Sequence, residues 1–299
     1  PNLDPWRFDR RVYWDQVILP QRARQSGADL LHCASGTVPL TASLPIVVTV
    51  HDVAWLRVQS HTRPYARYYF GKFSIDRYRQ ASAIAVDSDF SRRELLEVMP
   101  DLDAERVRVV YPGVGSDFFT LPRTGGDRRT ILVVGTVERR KNLECIIRAL
   151  PFLDDARIVS VGPFTPYQND CVLVAQALDV FDRVDFRGYV SREELLALYQ
   201  TCAVVAVPSR YEGFGYAAAQ ALCAGVPCIV SDRSSLPEIA GDHARVVPLE
   251  GVQGWVDALG AALRGDDDGR AAASRMLAIE RFAWGKSAAD MAATYELAL

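Results

Sequence analysis

Short apolar runs, rich in β-branched residues, recur along the chain: Leu30 to Cys33, Ile46 to Val50, Ala83 to Val86, Val107 to Val110, Ile131 to Val134, Arg157 to Val161, Val184 to Phe186, Ala203 to Val207, Cys228 to Val230 and Arg245 to Val247. Most are apolar at successive positions, as suits parallel strands covered on both faces. Between them lie helical stretches. Ser91-Arg-Arg-Glu94, Ser191-Arg-Glu-Glu194 and Ser235-Leu-Pro-Glu238 have the Ser-x-x-Glu spacing of a helix-opening capping box. Strand and helix alternate almost throughout, which predicts an α/β fold with two doubly wound, Rossmann-like sheets. A length of 299 residues agrees with two domains of roughly 150 each. The polar segment Leu121 to Arg129, with Pro122 and Gly125-Gly126, is the expected linker, giving domains over 1–122 and 123–280 and a terminal helix over 281–299.

The richest local signal follows the strand Ala203 to Val207. It runs Pro208-Ser-Arg-Tyr-Glu-Gly-Phe-Gly-Tyr-Ala-Ala-Ala-Gln220, and continues through Cys223-Ala-Gly-Val-Pro-Cys-Ile-Val-Ser-Asp232 to Leu236-Pro-Glu238. Gly213 and Gly215 permit a tight turn, and Tyr216 to Ala224 is a helix closed by Gly225. A turn leading into a helix directs amide N–H groups and the positive end of the helix dipole at one spot, which suits an anion. A carboxylate at Glu212 in the same loop suits the hydroxyls of an adjoining sugar.

A second signal is Gly135-Thr-Val-Glu-Arg-Arg-Lys-Asn142, between the strand Ile131 to Val134 and the helix Leu143 to Leu150. Open α/β sheets bind ligands at the carboxyl ends of strands. Three consecutive cations there suit a diphosphate, although a solvated basic helix start would read the same. A third is Thr49-Val-His-Asp-Val-Ala54, which puts His51 and Asp52 at a strand terminus, where a structural histidine is the ordinary reading.

Taken in order, these segments resemble the retaining glycosyltransferases of the GT-B fold, family 4, also called group 1. The resemblance covers about residues 29 to 299. It implies that Lys141 and Arg140 hold a donor diphosphate, that Glu212 takes part in catalysis, and that His51 approaches the donor sugar and phosphate. It further implies that Gly135, Thr136, Gly213, Phe214, Gly215, Tyr216, Gln220 and Asp52 line the donor site, and that the C-terminal helix packs back on the first domain. Ser88 and Gly113 lie in family-like segments, but a capping residue and a turn glycine are the favoured readings of them. The implied activity is transfer of a hexose, mannose or rhamnose before glucose, from a nucleotide diphosphate sugar to a saccharide or lipid-linked glycan, as in polysaccharide or lipopolysaccharide synthesis. The implied mechanism needs no metal or other cofactor. An epimerase acting on a nucleotide sugar, and a degenerate donor-binding or partner-binding subunit, are the alternatives. Two departures matter. The family's second glutamate is Gln220 here, and Asn2 to Gln25 reads as a polar helix or loop where an opening strand and glycine-rich loop are expected, which puts activity of this chain in question.

Composition then narrows the partners. With 34 basic and 37 acidic residues, net charge −3, no global basic field points to nucleic acid. The six cysteines stand singly, without metal-site spacing, and are expected to be reduced thiols of a cytoplasmic protein. No apolar run approaches the roughly 20 residues of a membrane span. Arg63 to Arg79 interleaves cations with aromatics. It reads either as a surface touching anionic lipid on the inner face of the membrane or as a helix burying Tyr65, Tyr69 and Phe73.

Overall fold

The computed structural model describes residues 8–41, 43–57, 65, 68–123 and 127–299. Two compact units emerge, one of residues 1–112 with 287–299 and one of 113–286. The division falls at 112/113, ahead of the expected linker, whose residues 124–126 lie outside the described ones.

In the first unit, strands β1 (Leu31–Cys33), β2 (Ile46–Val50), β3 (Ala83–Val86) and β4 (Val107–Val109) form a parallel sheet in that order. Alternate residues of β2 serve opposite faces. Ile46, Val48 and Val50 join Ile84, Val86, Leu95 and Met99 in the main core, whereas Val47 and Ala83 face Ala298, with Met291 and Tyr295 packed alongside. The small side chain of Ala83 lets the C-terminal helix close over that face, and His32 ties it down, with Nδ1 2.9 Å from the Tyr295 hydroxyl and Nε2 2.8 Å from Thr49 Oγ1. The chain before β1 is helical over the described residues, as α1 (Phe8–Tyr13), a wider π turn (Trp14–Ile18) and α2 (Leu19–Gln25). Buried Asp15 anchors it by accepting hydrogen bonds from Arg11 Nε at 2.8 Å and Thr37 Oγ1 at 2.9 Å.

The second unit is a six-stranded parallel sheet ordered β10-β9-β8-β5-β6-β7. Its strands are β5 (Asp127–Val134), β6 (Arg157–Val161), β7 (Val184–Gly188), β8 (Cys202–Val207), β9 (Cys228–Ser231) and β10 (Arg245–Val247). The chain winds outward from β5 through β6 and β7, then returns to lay β8 against the other side of β5. Here the winding direction reverses, and the loops leaving β5 and β8 emerge side by side from adjacent strand ends, the place where open α/β sheets bind ligands.

Expected and observed strands coincide to within a few residues, but two of the three capping boxes do not act as expected. Ser191 does cap its helix (Arg192–Thr201), accepting from the Glu194 amide at 3.1 Å. Ser91 lies inside the helix Asp89–Val98, whose cap is Ser88, because the Ser88 hydroxyl reaches the Ser91 amide at 3.0 Å. Ser235 turns away from its helix (Leu236–Ala240) to bond another loop. In the segment from Arg63 to Arg79, residues 63, 64, 66 and 67 lie outside the described ones. Tyr69 is buried with Phe73 stacked on it at 5.3 Å, but Tyr65 is exposed, with one contact to the Phe8 ring at 4.6 Å. Gly71 breaks the helix there, with its Cα beneath the Trp55 ring.

All six cysteines are buried and free of disulfides. Burial pushes the thiols of Cys33, Cys202 and Cys223 up to about 12 and those of Cys145 and Cys171 up to about 11, with Cys228 higher still.

Candidate functional site

Two loops meet at the switch point. The first, residues 135–142, leaves β5. Gly135 takes a φ of +141°, its amide donates to Val161 O at 2.8 Å, and Lys141 lies where its Cβ would point. Gly162, after β6, must be glycine because a Cβ would stand 2.2 Å from Gly135 O. The second loop, 208–215, leaves β8 and passes into the helix Tyr216–Ala224 through Gly215, whose φ of +100° is open to glycine at little cost. The loops are sewn together. The Arg210 amide donates to Arg140 O at 2.8 Å, and buried Asn142, in the left-handed region at φ 55°, donates from Nδ2 to Pro208 O at 3.2 Å and accepts from Arg210 at 3.2 Å.

Glu212 lies at the centre, only 6% exposed. Its Oε1 accepts from Lys141 Nζ at 2.6 Å and Ser209 Oγ at 2.7 Å, and its Oε2 accepts from Arg140 Nη1 at 3.1 Å. Burial alone would raise the pKa of this carboxyl, but Lys141 and then Arg140 outweigh it and hold the group below the usual glutamate range. Arg140 also donates to Tyr211 O at 2.7 Å and to Glu138 Oε1 at 2.7 Å. Two cations thus face two carboxylates, a balanced cluster rather than the run of free positive charge that Arg139-Arg140-Lys141 suggests in sequence. Arg139 points elsewhere, pairing with Asp170 at 2.5 Å over the Tyr167 ring.

The structure therefore brings Glu212, Lys141, Arg140 and Gly135 together, with Gly213 and Gly215 in the same loop and Thr136 beside Gly135. Tyr216 is exposed at the first turn of the helix, but the Phe214 side chain is buried against Phe282 and Tyr216, so donor contact through it is left to the backbone. Gln220 departs from expectation. Its Oε1 accepts from the hydroxyl of fully buried Tyr199 at 3.0 Å, which gives this amide a structural partner. His51 and Asp52 belong to the first unit. Asp52 Oδ1 accepts from the Ala54 amide at 2.9 Å, a turn closure at the start of the short helix Ala54–Arg57, and His51 pairs with Asp87.

Sequence reasoning missed the hydroxyls that shape the Glu212 loop. Ser234 Oγ accepts from the Glu212 amide at 2.9 Å, and Ser235 Oγ lies 3.0 Å from Glu212 O and 2.8 Å from Phe214 O, donating to these carbonyls. Ser234 sits at φ 55°, a conformation rare for serine and supported here by its bonds. Ser209 and Ser235 each carry the local Ser-x-x-Glu spacing, but the first forms a side-chain pair with Glu212 and the second braces the Glu212 loop, and neither hydroxyl caps a helix.

Two parallel Rossmann-like units, with this site at the switch point of the second, define a GT-B protein. Residues 120–274 match the family described as Glycosyl transferases group 1, and residues 1–118 match Glycosyltransferase Family 4. The chain belongs to the group 1 glycosyl transferases. It is similar to a D-inositol 3-phosphate glycosyltransferase from Xylanimonas cellulosilytica, 33% identical over 239 residues that cover 72% of this chain and 57% of the relative. It thus spans little more than half the length of that relative. An MMP alpha-(1->4)-mannosyltransferase from Mycolicibacterium hassiacum is 29% identical over 290 residues, covering 91% of this chain and 69% of its own. A solved structure of HepE from Anabaena in complex with UDP and glucose is similar in fold, with a TM-score of 0.75 over 95% of this chain and 83% of the other, at 17% identity.

Proposed function

We propose that the chain carries the donor site of a retaining glycosyltransferase, in which Lys141 and Arg140 grip the diphosphate of a nucleotide sugar and Glu212 orients the sugar. The observation that carries this reading is the buried Glu212 of one loop held between two cations of the neighbouring loop at the switch point. Such a cluster is a store of preorganised charge. When a diphosphate arrives, Lys141 and Arg140 can share their hydrogen bonds with it without leaving Glu212, and they stabilise the negative charge that develops on the leaving phosphate. His51 belongs to the same reading as a group that meets the donor, a role that rests on the family resemblance.

A hexose is the proposed cargo, with mannose favoured by the mannosyltransferase relative, and a saccharide or lipid-linked glycan is the proposed acceptor. With Lys141, Arg140 and the amino end of the helix Tyr216–Ala224 directed at the diphosphate, transfer is expected to proceed without a divalent metal. Among the described residues no helix is long and apolar enough to cross a membrane, so any membrane contact proposed here is peripheral. A second reading, a donor-binding subunit without turnover, rests on Gln220 in place of the family's second glutamate, with its Oε1 engaged by Tyr199.

The test joins calorimetric titration with UDP and GDP to initial rates of transfer from UDP- and GDP-hexoses. Wild type should bind one nucleotide and transfer in excess EDTA. Lys141→Ala should lose transfer about 100-fold or more, the scale on which a preorganised electrostatic group contributes. Turnover unaffected in that variant, or an absolute requirement for Mn²⁺ or Mg²⁺, refutes the reading. Binding without transfer selects the subunit.

A further inference from the structure

In the first sheet Val50 and Val86 are register partners, so His51 and Asp87 leave the adjacent ends of β2 and β3 side by side. Asp87 is buried, whereas the side chain of His51 is 58% exposed. The ring is fixed at both nitrogens. Nδ1 lies 2.8 Å from Asp87 Oδ2, and Nε2 lies 3.1 Å from the carbonyl oxygen of Ala34, just past β1. With Asp87 ionised, its oxygen and the Ala34 carbonyl both accept, so both ring nitrogens carry hydrogen and the ring is an imidazolium; burial raises the Asp87 pKa, and the hydrogen bond and charge of His51 work against that rise. Asp52 adds a negative charge that favours the imidazolium, and the charge of His51 in turn helps lower the pKa of His32 on the neighbouring strand β1. The His51 pKa accordingly stands above its ordinary value, raised first by the Asp87 hydrogen bond against the cost of burial, whereas burial lowers that of His32.

We propose that Asp87 is a positioning residue of the transfer reaction: with the Ala34 carbonyl it holds His51 at the carboxyl edge of the first sheet as a fixed cation, available as a positive charge and not as a base. The proposal rests on the reading that His51 meets the donor. It assigns Asp87 a part that the sequence segments did not suggest.

The experiment titrates the histidine ring signals of the full chain by NMR, without donor, and compares pH profiles of kcat/KM for wild type, Asp87→Asn and Asp87→Glu. In wild type His51 should titrate above the ordinary value of about 6.5 and above His32. Asp87→Asn should bring it to that ordinary value or below and move the basic limb of kcat/KM toward acid, and Asp87→Glu should restore both. If Asp87→Asn fails to fold, His51→Arg, a permanent cation, should retain transfer and flatten the basic limb, whereas neutral His51→Gln should lose about tenfold or more in kcat/KM. A wild-type His51 titrating with His32, or one indifferent to Asp87→Asn, overturns the proposal. If the NMR shift appears but the pH profiles superimpose, the reaction role falls while the Glu212 site, tested separately through Lys141, stands. Absence of transfer in wild type overturns the underlying reading and the reaction role with it, and the ring titration still reports whether Asp87 sets the charge.

Discussion

The carboxyl edges of the two sheets solve the same problem in opposite ways. In the second unit a buried carboxylate is held by two cations from a neighbouring loop, and five further hydrogen bonds lock the loops around it, four donated by Ser209, Ser235 and Asn142 and one accepted by Ser234. In the first unit a mostly exposed imidazole leans on one buried carboxylate and one carbonyl. Desolvation makes the first arrangement costly to break, since any lost partner strands a charge away from water. In the second arrangement only the imidazole is close to solvent, and what its bond to the buried Asp87 fixes is a protonation state. One edge is built for rigidity and the other for charge at a chosen place.

The most forceful way to break this contrast is Glu212→Gln. It leaves Lys141 and Arg140 facing a neutral amide, and should cut transfer about 100-fold and destabilise the second unit by roughly 1–3 kcal/mol. The pH dependence sharpens the test. The Glu212 carboxyl is depressed in the folded state, so its contribution is present above the unfolded glutamate pKa and is lost as pH falls through the lower folded value. Urea midpoints of wild type and variant should therefore converge on acidification; a gap that persists unchanged to the lowest pH at which the fold survives would contradict the ion-pair account.

Next in size is a comparison of two serines with the same sequence signature. Ser235→Ala removes buried bonds to Glu212 O and Phe214 O and should cost roughly 1–2 kcal/mol together with part of the turnover. Ser191→Ala removes an exposed cap and should cost about 0.5–1 kcal/mol with turnover intact. Equal effects on rate would show that the Glu212 loop does not need its hydroxyl braces. The smallest effect is expected from Gln220→Glu. A carboxylate still accepts from Tyr199, so stability should change by about 0.5 kcal/mol or less and nucleotide affinity by about twofold or less. A tenfold gain in affinity by calorimetry would instead place Gln220 at the ribose.

Strand positions were legible in sequence because a covered parallel strand writes its burial into a contiguous run, as Ile46 to Val50 and Ala203 to Val207 do. The glycine turn at Gly215 and the cap at Gly225 were legible for the same local reason, that each needs a positive φ. What sequence could not supply was partnership at a distance. Ser-x-x-Glu at 191, 209 and 235 looks alike in text, yet the first caps a helix, the second pairs with its own glutamate and the third braces a loop more than 20 residues away. Arg139, Arg140 and Lys141 read as one basic run, but their carboxylates, Asp170, Glu138 and Glu212, arrive from three separate elements. Gln220 is on the expected helix, and only the buried Tyr199 reveals which way its amide is committed.

The six sequestered thiols turn this chain into its own reporter. Cys33 is the lone cysteine of the first unit, while Cys145, Cys171, Cys202, Cys223 and Cys228 all belong to the second. A buried thiol with a raised pKa reacts with an alkylating agent only after its surroundings open, so labelling followed site by site by mass spectrometry clocks the opening of each unit separately. A nucleotide that binds the Glu212 site should slow modification of the five and leave the pace of Cys33 to the first sheet, with no probe added to the protein.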